Sequence, residues 1–293
     1  MTNATLIKIP PRLVLFSHWA LNLSQMFVSA VDMWEVATHV YPQLNLNQFI
    51  NPRTKVYGLP KPSLRKVKSL IKLYKTNKPV QTALSHLKDL KRFSIFTLSI
   101  NHPLYPQNLR NSLYPPFILY CARKPHKSWL ERYFIGVVGT RNPSFYTIEK
   151  GVQKLSTLAK SKKNIAFVSG RAKGCDSIAT YVADKNKIPV INVVAELSVL
   201  DFEPWEHEYL VSEYLYAPAN TFKIRLVMRN RIIGGLAEEL VLLQAPLSSG
   251  ALITAQFAQL LKKPIKILKP NKTDFSTAGG VYLYKNYELA SWF

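Results

Sequence analysis

The sequence predicts an α/β protein in which a doubly wound, mostly parallel sheet follows a smaller, basic and mainly helical N-terminal domain. Two observations indicate this architecture. From about residue 131, short, uniformly apolar segments alternate along the chain with segments whose apolar residues recur at helical intervals. Before that point, prolines divide the chain into short, lysine-rich pieces. Uniformly apolar strands, each followed by a helix, are what a parallel sheet covered on both faces requires.

The N-terminal region contains one clear amphipathic helix. In residues 62–75, apolar side chains recur at helical intervals, and lysine and arginine fill most of the other positions. The basic face of such a helix can contact DNA or an anionic lipid surface, or it can simply face solvent. Facing solvent is the commonest of the three. We expect residues 1–95 to form a separate basic helical domain.

The remainder of the chain, residues 96–293, contains the elements of the predicted sheet. Strands are expected at 133–139, 164–170, 189–195, 210–214, 239–245 and 264–268, and helices at 147–160, from 176, and at 250–262. Short apolar runs bounded by turn residues are typical of strands buried on both faces. Their order predicts an extended Rossmann-like domain.

Charge is the dominant feature of the composition. The formal net charge is +22, and residues 36–130 contain 16 basic side chains against a single acidic one, Asp89. So uneven a distribution favours a polyanionic partner, with nucleic acid as the first choice and an anionic membrane as the second. A solvated lysine-rich surface is the neutral alternative.

Composition also narrows the class of protein. With two cysteines and six histidines that lack paired spacing, the chain shows neither a disulfide framework nor a zinc motif. The apolar stretch at residues 13–30 is interrupted by polar side chains and is too polar to span a membrane. We therefore expect a cytoplasmic protein without a metal or a cofactor.

Polar and basic residues follow three of the predicted strands at the point where each strand ends. Ligands of doubly wound sheets collect at this carboxyl edge. Glycines let backbone N–H groups approach an oxyanion, helix N-termini add partial positive charge, and arginine binds phosphate in a bidentate manner. The candidate phosphate-binding residues are Gly139, Thr140, Arg141, Ser144, Ser169, Gly170, Arg171, Lys173, Gly174, Arg229, Asn230, Arg231, Ser248, Ser249 and Gly250.

Each of these turns also has a purely structural explanation. Ser249 and Gly250 can serve as a helix N-cap alone, and Asp176 can cap the helix that follows it. Three such turns beside Arg229 and Arg231 nevertheless favour a phosphate pocket. The chain contains neither G-x-G-x-x-G nor G-x-x-x-x-G-K-[ST], and no paired acids suggest magnesium. A nucleic-acid backbone therefore suits the pocket better than a nucleotide substrate.

The segments GTRNPS, SGRAKGCDSIA, LVSEY, RNRIIGGLA and SSGALITA occur in this order and resemble the motifs of the DNA-processing protein A (DprA/Smf) family. The similarity covers about residues 96–290. It implies a non-catalytic protein that binds single-stranded DNA, protects it during natural transformation (competence) and helps to load the RecA recombinase. It also implies a homodimer formed through the Rossmann-like domain, with no membrane association.

By the same resemblance, the DNA pocket would include Arg141, Ser169, Gly170 and Lys173, the segment 229–231 and the helix start at 248–250. The sequence departs from the family pattern at Arg171 and Cys175, which replace apolar residues, and in the shortened, acidic segment 196–209. The chain ends too early for the C-terminal winged helix that some members carry. For residues 1–95, a divergent SAM-like or other helical DNA-binding domain is the expectation.

An enzyme and a membrane-surface protein are the alternative functions. A LOG-like nucleotide phosphoribohydrolase shares this architecture, but it needs a P-G-G-x-G-T-x-x-E motif, and here Gln256 follows the matching turn with no acid nearby. We therefore expect no catalytic residues. The hypothesis of a membrane-surface protein depends on the basic helix alone. Phe145, Tyr146 and Phe222 are candidates for stacking on bases, although we expect at least two of them to pack in the core.

Overall fold

The computed structural model describes residues 94–100, 102–112, 115–116, 118–197, 206–214 and 222–293. The predicted N-terminal domain, with its basic amphipathic helix, lies outside these residues except for positions 94 and 95. The strands are β1 (Phe96–Ser99), β2 (Ile118–Cys121), β3 (Tyr133–Val138), β4 (Ile165–Ser169), β5 (Val190–Val193), β6 (Glu208–Ser212), β7 (Glu239–Leu242), β8 (Ile265–Ile267) and β9 (Ala290–Trp292). The helices are α1 (Gln107–Arg110), α2 (Phe145–Ser161), α3 (Cys175–Lys185), α4 (Phe222–Leu236), α5 (Gly250–Leu260) and α6 (Ala278–Asn286), with a 3-10 turn at Lys127–Glu131.

The strands of the described residues form one sheet in the order β1-β2-β6-β5-β4-β3-β7-β8-β9. Neighbouring strands from β6 to β9 run parallel, whereas β2 pairs antiparallel with both β1 and β6. The chain moves outward from β3 to β6 in one direction and then continues through β7 and β8 on the other side of β3. The strand order therefore reverses between β3 and β7, where such sheets bind their ligands beyond the carboxyl ends.

Two hydrophobic cores cover the two faces of this sheet. Alternate residues of β3 point to opposite faces, as the strand geometry requires. Ile135 and Val137 pack in a core that includes buried side chains of α2 and α3. Phe134 and Val138 pack in a second core with apolar residues of α4 and α5. Because both faces are buried, the strands contain the continuous apolar runs from which the sequence predicted them.

The predicted α/β class with a mostly parallel, doubly wound sheet is confirmed. Each of the six strands expected from the sequence is present, as β3 to β8, with ends that differ by up to three residues. The sequence analysis did not identify the strands β1, β2 and β9 or the helices α1, α4 and α6. No helix among the described residues combines the length and the apolar character that crossing a bilayer requires.

Candidate nucleic-acid interface

A cavity of about 460 Å³ opens at the carboxyl edge of the sheet, beside the point where the strand order reverses. Its walls come from the turn after β3, the turn after β4, the helix α4 and the start of α5. The residues that line it are Val138, Gly139, Thr140, Arg141, Ala172, Asp176, Lys223, Leu226, Val227, Arg229, Asn230, Pro246, Ser249, Gly250, Ala251, Ile253 and Thr254. The predicted convergence of separate turns on one edge therefore occurs.

The turn after β3 is fixed by its backbone. The amide of Thr140 donates to the carbonyl of Gln244 at 2.8 Å, and the carbonyl of Thr140 accepts from the amide of Cys175 at 3.1 Å. Gly174, at φ +81°, lies directly against the carbonyls of Thr140 and Arg141, where a Cβ would lie at 2.5 Å from both oxygens. The first two turns are thereby locked together, and the exposed side chain of Arg141 extends from this fixed base.

Arg229 brings a second cation to the cavity through close contact with a glycine. A Cβ at Gly170 would overlap the guanidinium of Arg229, so only glycine leaves room for this side chain. The Nε atom of Arg229 is buried and has no hydrogen-bond partner among the described residues. Burial lowers the pKa of Arg229, the neighbouring Asp176 raises it, and Arg141 lowers it further. A half-buried guanidinium at the wall of a cavity is suited to receive an anion.

Asp176 organises the second turn from inside the protein. Its Oδ2 atom accepts hydrogen bonds from the amides of Gly170 and Ala172, both at 3.2 Å. Burial raises the pKa of this carboxyl, while Arg229 and the two amides act in the opposite direction. The sequence suggested that Asp176 caps its own helix, but Gly174 occupies the N-cap of α3. Asp176 therefore shapes the turn and faces Arg229.

The helix start at α5 combines a structural and a cavity-lining role. Ser249 is the N-cap of α5, and its hydroxyl accepts from the amide of Ala251 at 3.1 Å. The Nδ2 atom of Asn230 donates to the carbonyl of Gly250 at 3.2 Å, which ties α4 to the beginning of α5. Gly250 is exposed, and a Cβ there would meet nothing within 4 Å. The N-terminus of α5 therefore faces open space beside Arg229 and Asn230.

Several predicted residues do not line the cavity. Ser144 caps α2, and Ser169 is fully buried, where it donates to the carbonyl of Val137 at 2.9 Å. Lys173 and Ser248 are exposed near the cavity, but they are not part of its wall. Gly170 and Gly174 act on the site through contacts of their backbones with Arg229 and with the turn after β3.

Two predicted arginines are engaged in ion pairs elsewhere. Arg231 is only 2% exposed and pairs with Glu213 at 2.7 Å in the core on the other side of α4. Arg171 adopts a positive φ of 55° and pairs with the buried Glu208 at 3.1 Å. The phosphate role that the sequence suggested for these two side chains is thus not supported by their positions in the structure.

The cavity also contains residues that the sequence analysis missed. Lys223, Leu226 and Val227 of α4 form one wall, and Ile253 and Thr254 of α5 lie on another. The signal was present as the spacing of 223, 226, 227 and 230, which puts these positions on one face of a helix. Among the described residues, no group of His, Cys, Asp and Glu is arranged to hold a metal ion.

The aromatic side chains near the site are more exposed than expected. Phe145 is 81% exposed and Phe222 is 46% exposed, so the expectation that at least two of the three pack in the core is wrong. Tyr146 is half-buried, and its hydroxyl donates to the carbonyl of Lys269 at 3.1 Å. The thiol of Cys175 lies under Gly139, and burial raises its pKa to about 12.

Comparison with known proteins places this chain in a family. The family model described as DNA recombination-mediator protein A matches residues 96–293. DNA processing protein DprA of Bacillus subtilis is 32% identical over 212 residues, which cover 68% of each chain. The matched regions cover between 46% and 62% of other relatives.

Solved structures agree with this assignment. DprA from Streptococcus pneumoniae superposes with a TM-score of 0.70 over 98% of this chain and 95% of that chain, at 23% identity, which shows a shared fold. DprA from Helicobacter pylori, whose structure concerns its single-stranded DNA binding mode, has a TM-score of 0.56 and 26% identity over 68% of this chain and 91% of that chain. The chain belongs to the DNA recombination-mediator protein A (DprA/Smf) family.

Proposed function

We propose that this protein binds single-stranded DNA, without catalysis, in DNA uptake during natural transformation and in recombination. In this role it protects the strand and helps to load a RecA recombinase. The observation that carries the proposal is the basic cavity at the carboxyl edge, in which Arg141 and the half-buried Arg229 face the start of α5. The guanidinium of Arg229 lines this cavity together with Arg141, where it can bind a phosphodiester oxygen.

The composition of the cavity favours a polymer backbone over a small nucleotide. Arg141, Lys223 and Arg229 provide three cations, and α5 contributes its N-terminal amides. The carboxylate of Asp176 accepts hydrogen bonds from two backbone amides and faces Arg229, so it has a structural role in the turn. Gln256 is exposed on α5 at the position where the phosphoribohydrolase motif has its glutamate. These features support a binding role rather than hydrolysis.

The descriptions of the related proteins support the proposal. The family is described as a recombination mediator, the Bacillus relative as a DNA processing protein, and the Helicobacter structure as one that binds single-stranded DNA. From family membership we also propose that the protein has RecA as a partner, forms a homodimer and is located in the cytoplasm. We also propose that residues 1–95 form a separate unit that precedes the matched region at 96–293.

The first test compares single-strand binding by two variants that each lose one positive charge. Arg141→Ala removes a cation from the cavity, whereas Lys163→Ala removes an exposed cation at the amino end of β4, on the opposite edge of the sheet. Fluorescence anisotropy would follow a labelled oligo-dT strand and a duplex of equal length at several salt concentrations.

We expect the wild type to prefer the single strand. Arg141→Ala should weaken binding and reduce the slope of log K against log salt by about 0.7, the value for one contact to a single strand. Lys163→Ala should bind like the wild type. Equal effects of the two variants, or equal affinity for strand and duplex, would reject the cavity as the DNA site.

A further inference from the structure

Phe145 and Phe275 are the two most exposed large hydrophobic side chains of the described residues, at 81% and 73%. Phe145 is the first residue of α2, and Phe275 lies in the connection between β8 and α6. We refer to them as the phenylalanine pair. Neither side chain contributes to the two hydrophobic cores, so packing does not explain why aromatic residues stand at these positions.

One side chain joins the segments that present the pair. The Oε1 atom of Gln244 accepts from the amide of Ser144 at 2.9 Å, and its Nε2 atom donates to the hydroxyl of Ser276 at 2.8 Å. These serines are the immediate neighbours of Phe145 and Phe275. A single amide group therefore holds both phenylalanines at the same part of the carboxyl edge.

Further hydrogen bonds make these segments rigid. The hydroxyl of Ser144 accepts from the amide of Thr147 at 3.2 Å and caps α2. Oδ1 of Asp274 accepts from the amide and the hydroxyl of Ser276 at 2.9 and 2.6 Å. The exposure of the pair is thus a property of a cross-linked surface rather than of a loose loop.

The pair adjoins the basic cavity. The backbone carbonyl of Gln244 accepts from the amide of Thr140, which lines the cavity, while the side chain of Gln244 holds the pair. Phe145 lies four positions after Arg141 in the sequence, a chain length of at most about 14 Å. A strand whose phosphates contact Arg141 would therefore carry its bases past the pair within a few nucleotides.

We propose that Phe145 and Phe275 form a base-stacking platform for the single strand whose phosphates occupy the cavity, an inference that rests on the proposed function. Phenyl rings offer flat faces without hydrogen-bonding groups, so they accept any base. Bases inside a duplex are already stacked on each other and cannot reach these faces. The platform would therefore select for unpaired strands without reading their sequence.

The test removes the aromatic faces and keeps the apolar volume. The double variant Phe145→Leu/Phe275→Leu would be compared with Tyr181→Leu, a change at another exposed aromatic residue on α3. Anisotropy would measure the affinity for oligo-dT and for an abasic strand of equal length with the same phosphate count. Stacking on aromatic side chains corresponds to roughly five- to 150-fold in affinity per base.

We expect the wild type and Tyr181→Leu to bind oligo-dT at least about fivefold more tightly than the abasic strand. The double variant should lose this preference and keep both its affinity for the abasic strand and its salt dependence. The expected result thus separates base contacts from phosphate contacts within one protein.

Three other results would overturn the platform. Equal affinity of the wild type for both strands would exclude base stacking, while a loss of abasic-strand binding in Arg141→Ala would still support the cavity. A double variant that retains the preference would place base contacts elsewhere. An altered sedimentation coefficient with unchanged preference would identify the pair as a contact between copies of the chain. Failure of the wild type to bind either strand would instead reject the proposed function itself.

Discussion

At the scale of single residues, the contact between Gly170 and Arg229 links a backbone position to the charge of the site. Gly170 follows β4, and its missing side chain leaves the space that the guanidinium of Arg229 occupies. The amide of Gly170 also donates to Asp176, which faces the same guanidinium. One glycine therefore sets both the position of the cation and the position of its counter-charge.

Gly170→Ala should weaken single-strand binding by roughly tenfold or more, because the new Cβ displaces the guanidinium and a charge-assisted hydrogen bond is lost. Thermal stability should fall as well, because the displaced guanidinium leaves the buried carboxylate of Asp176 without its cation. The matched control is Gly151→Ala in α2, where a Cβ would meet Leu243 and Ile178 at ordinary distances of 3.4 and 3.6 Å. The control should keep its affinity and gain about 0.5–1 kcal/mol in stability. Anisotropy measures the single-strand affinity of both variants, and thermal melts measure their stability. If Gly170→Ala binds with wild-type affinity, the assigned position of Arg229 is contradicted.

The residues that the sequence placed correctly in the cavity follow from topology alone. Gly139, Thr140 and Arg141 follow a parallel strand, and Ser249 and Gly250 begin a helix after another, so all of them lie at one edge. The position of a side chain within a helix is different, because it depends on the helical register. Without the prediction of α4, two arginines two positions apart looked equivalent, although about 200° separates them around a helix axis.

At the scale of elements, α4 is the helix that divides the site from the core. Asn230 and Arg229 face the cavity, whereas Arg231 points away and pairs with Glu213 at the end of β6. Lys263 anchors the other end of the helix, because its Nζ atom donates to the carbonyls of Gly234, Gly235 and Ala237. These contacts fix both the rotation and the position of α4.

Arg231→Met should therefore destabilise the protein without removing a DNA contact. The substitution leaves Glu213, only 3% exposed, without its cation, and breaking such a buried pair costs about 3–5 kcal/mol. Lys150→Met is the control, since Lys150 pairs with Glu149 at 3.9 Å on the surface, where a pair contributes about 0–1 kcal/mol. Urea unfolding gives the free energies. The double variant Arg231→Met/Glu213→Leu should recover much of the loss.

The outcome distinguishes this role from the one that the sequence suggested. If Arg231→Met unfolds at the wild-type urea concentration but loses single-strand affinity, Arg231 is a phosphate ligand and the ion pair is incidental. If the free energy of unfolding falls and the folded variant keeps its single-strand affinity, Arg231 stabilises the position of α4 and does not contact DNA.

The predictability of elements followed their burial. The strands β3, β4, β5 and β7 are mostly apolar and buried on both faces, and the sequence analysis found them together with β6 and β8. Strands β1 and β9 lie at the two edges of the sheet, where polar residues such as Thr97 and Ser291 interrupt the apolar run. In α4, apolar and basic residues alternate around the whole helix because one face meets the core and another the cavity, so no single apolar stripe identifies it.

At the scale of the whole molecule, the charge acts in two different ways. The formal net charge of +22 produces a field that attracts any polyanion, and residues 36–130 supply most of it. The cavity, in contrast, places three cations, Arg141, Lys223 and Arg229, around one space. Salt screens the distributed field over about 10 Å at 0.1 M, whereas contacts inside a partly buried site are screened much less.

This difference predicts that selectivity for the single strand increases with salt. Duplex binding depends on the distributed field, and each duplex phosphate contact contributes a steeper salt slope, about 0.9 against 0.7 for a single strand. The ratio of duplex to single-strand Kd should therefore rise several-fold between about 50 and 200 mM salt, over which phosphate-dominated binding weakens most. Arg141→Ala should lower the ratio, because it weakens single-strand binding at the fixed site and leaves duplex binding unchanged. A ratio that stays constant in the wild type would mean that the field alone binds both ligands and that the cavity takes no part in choosing between them.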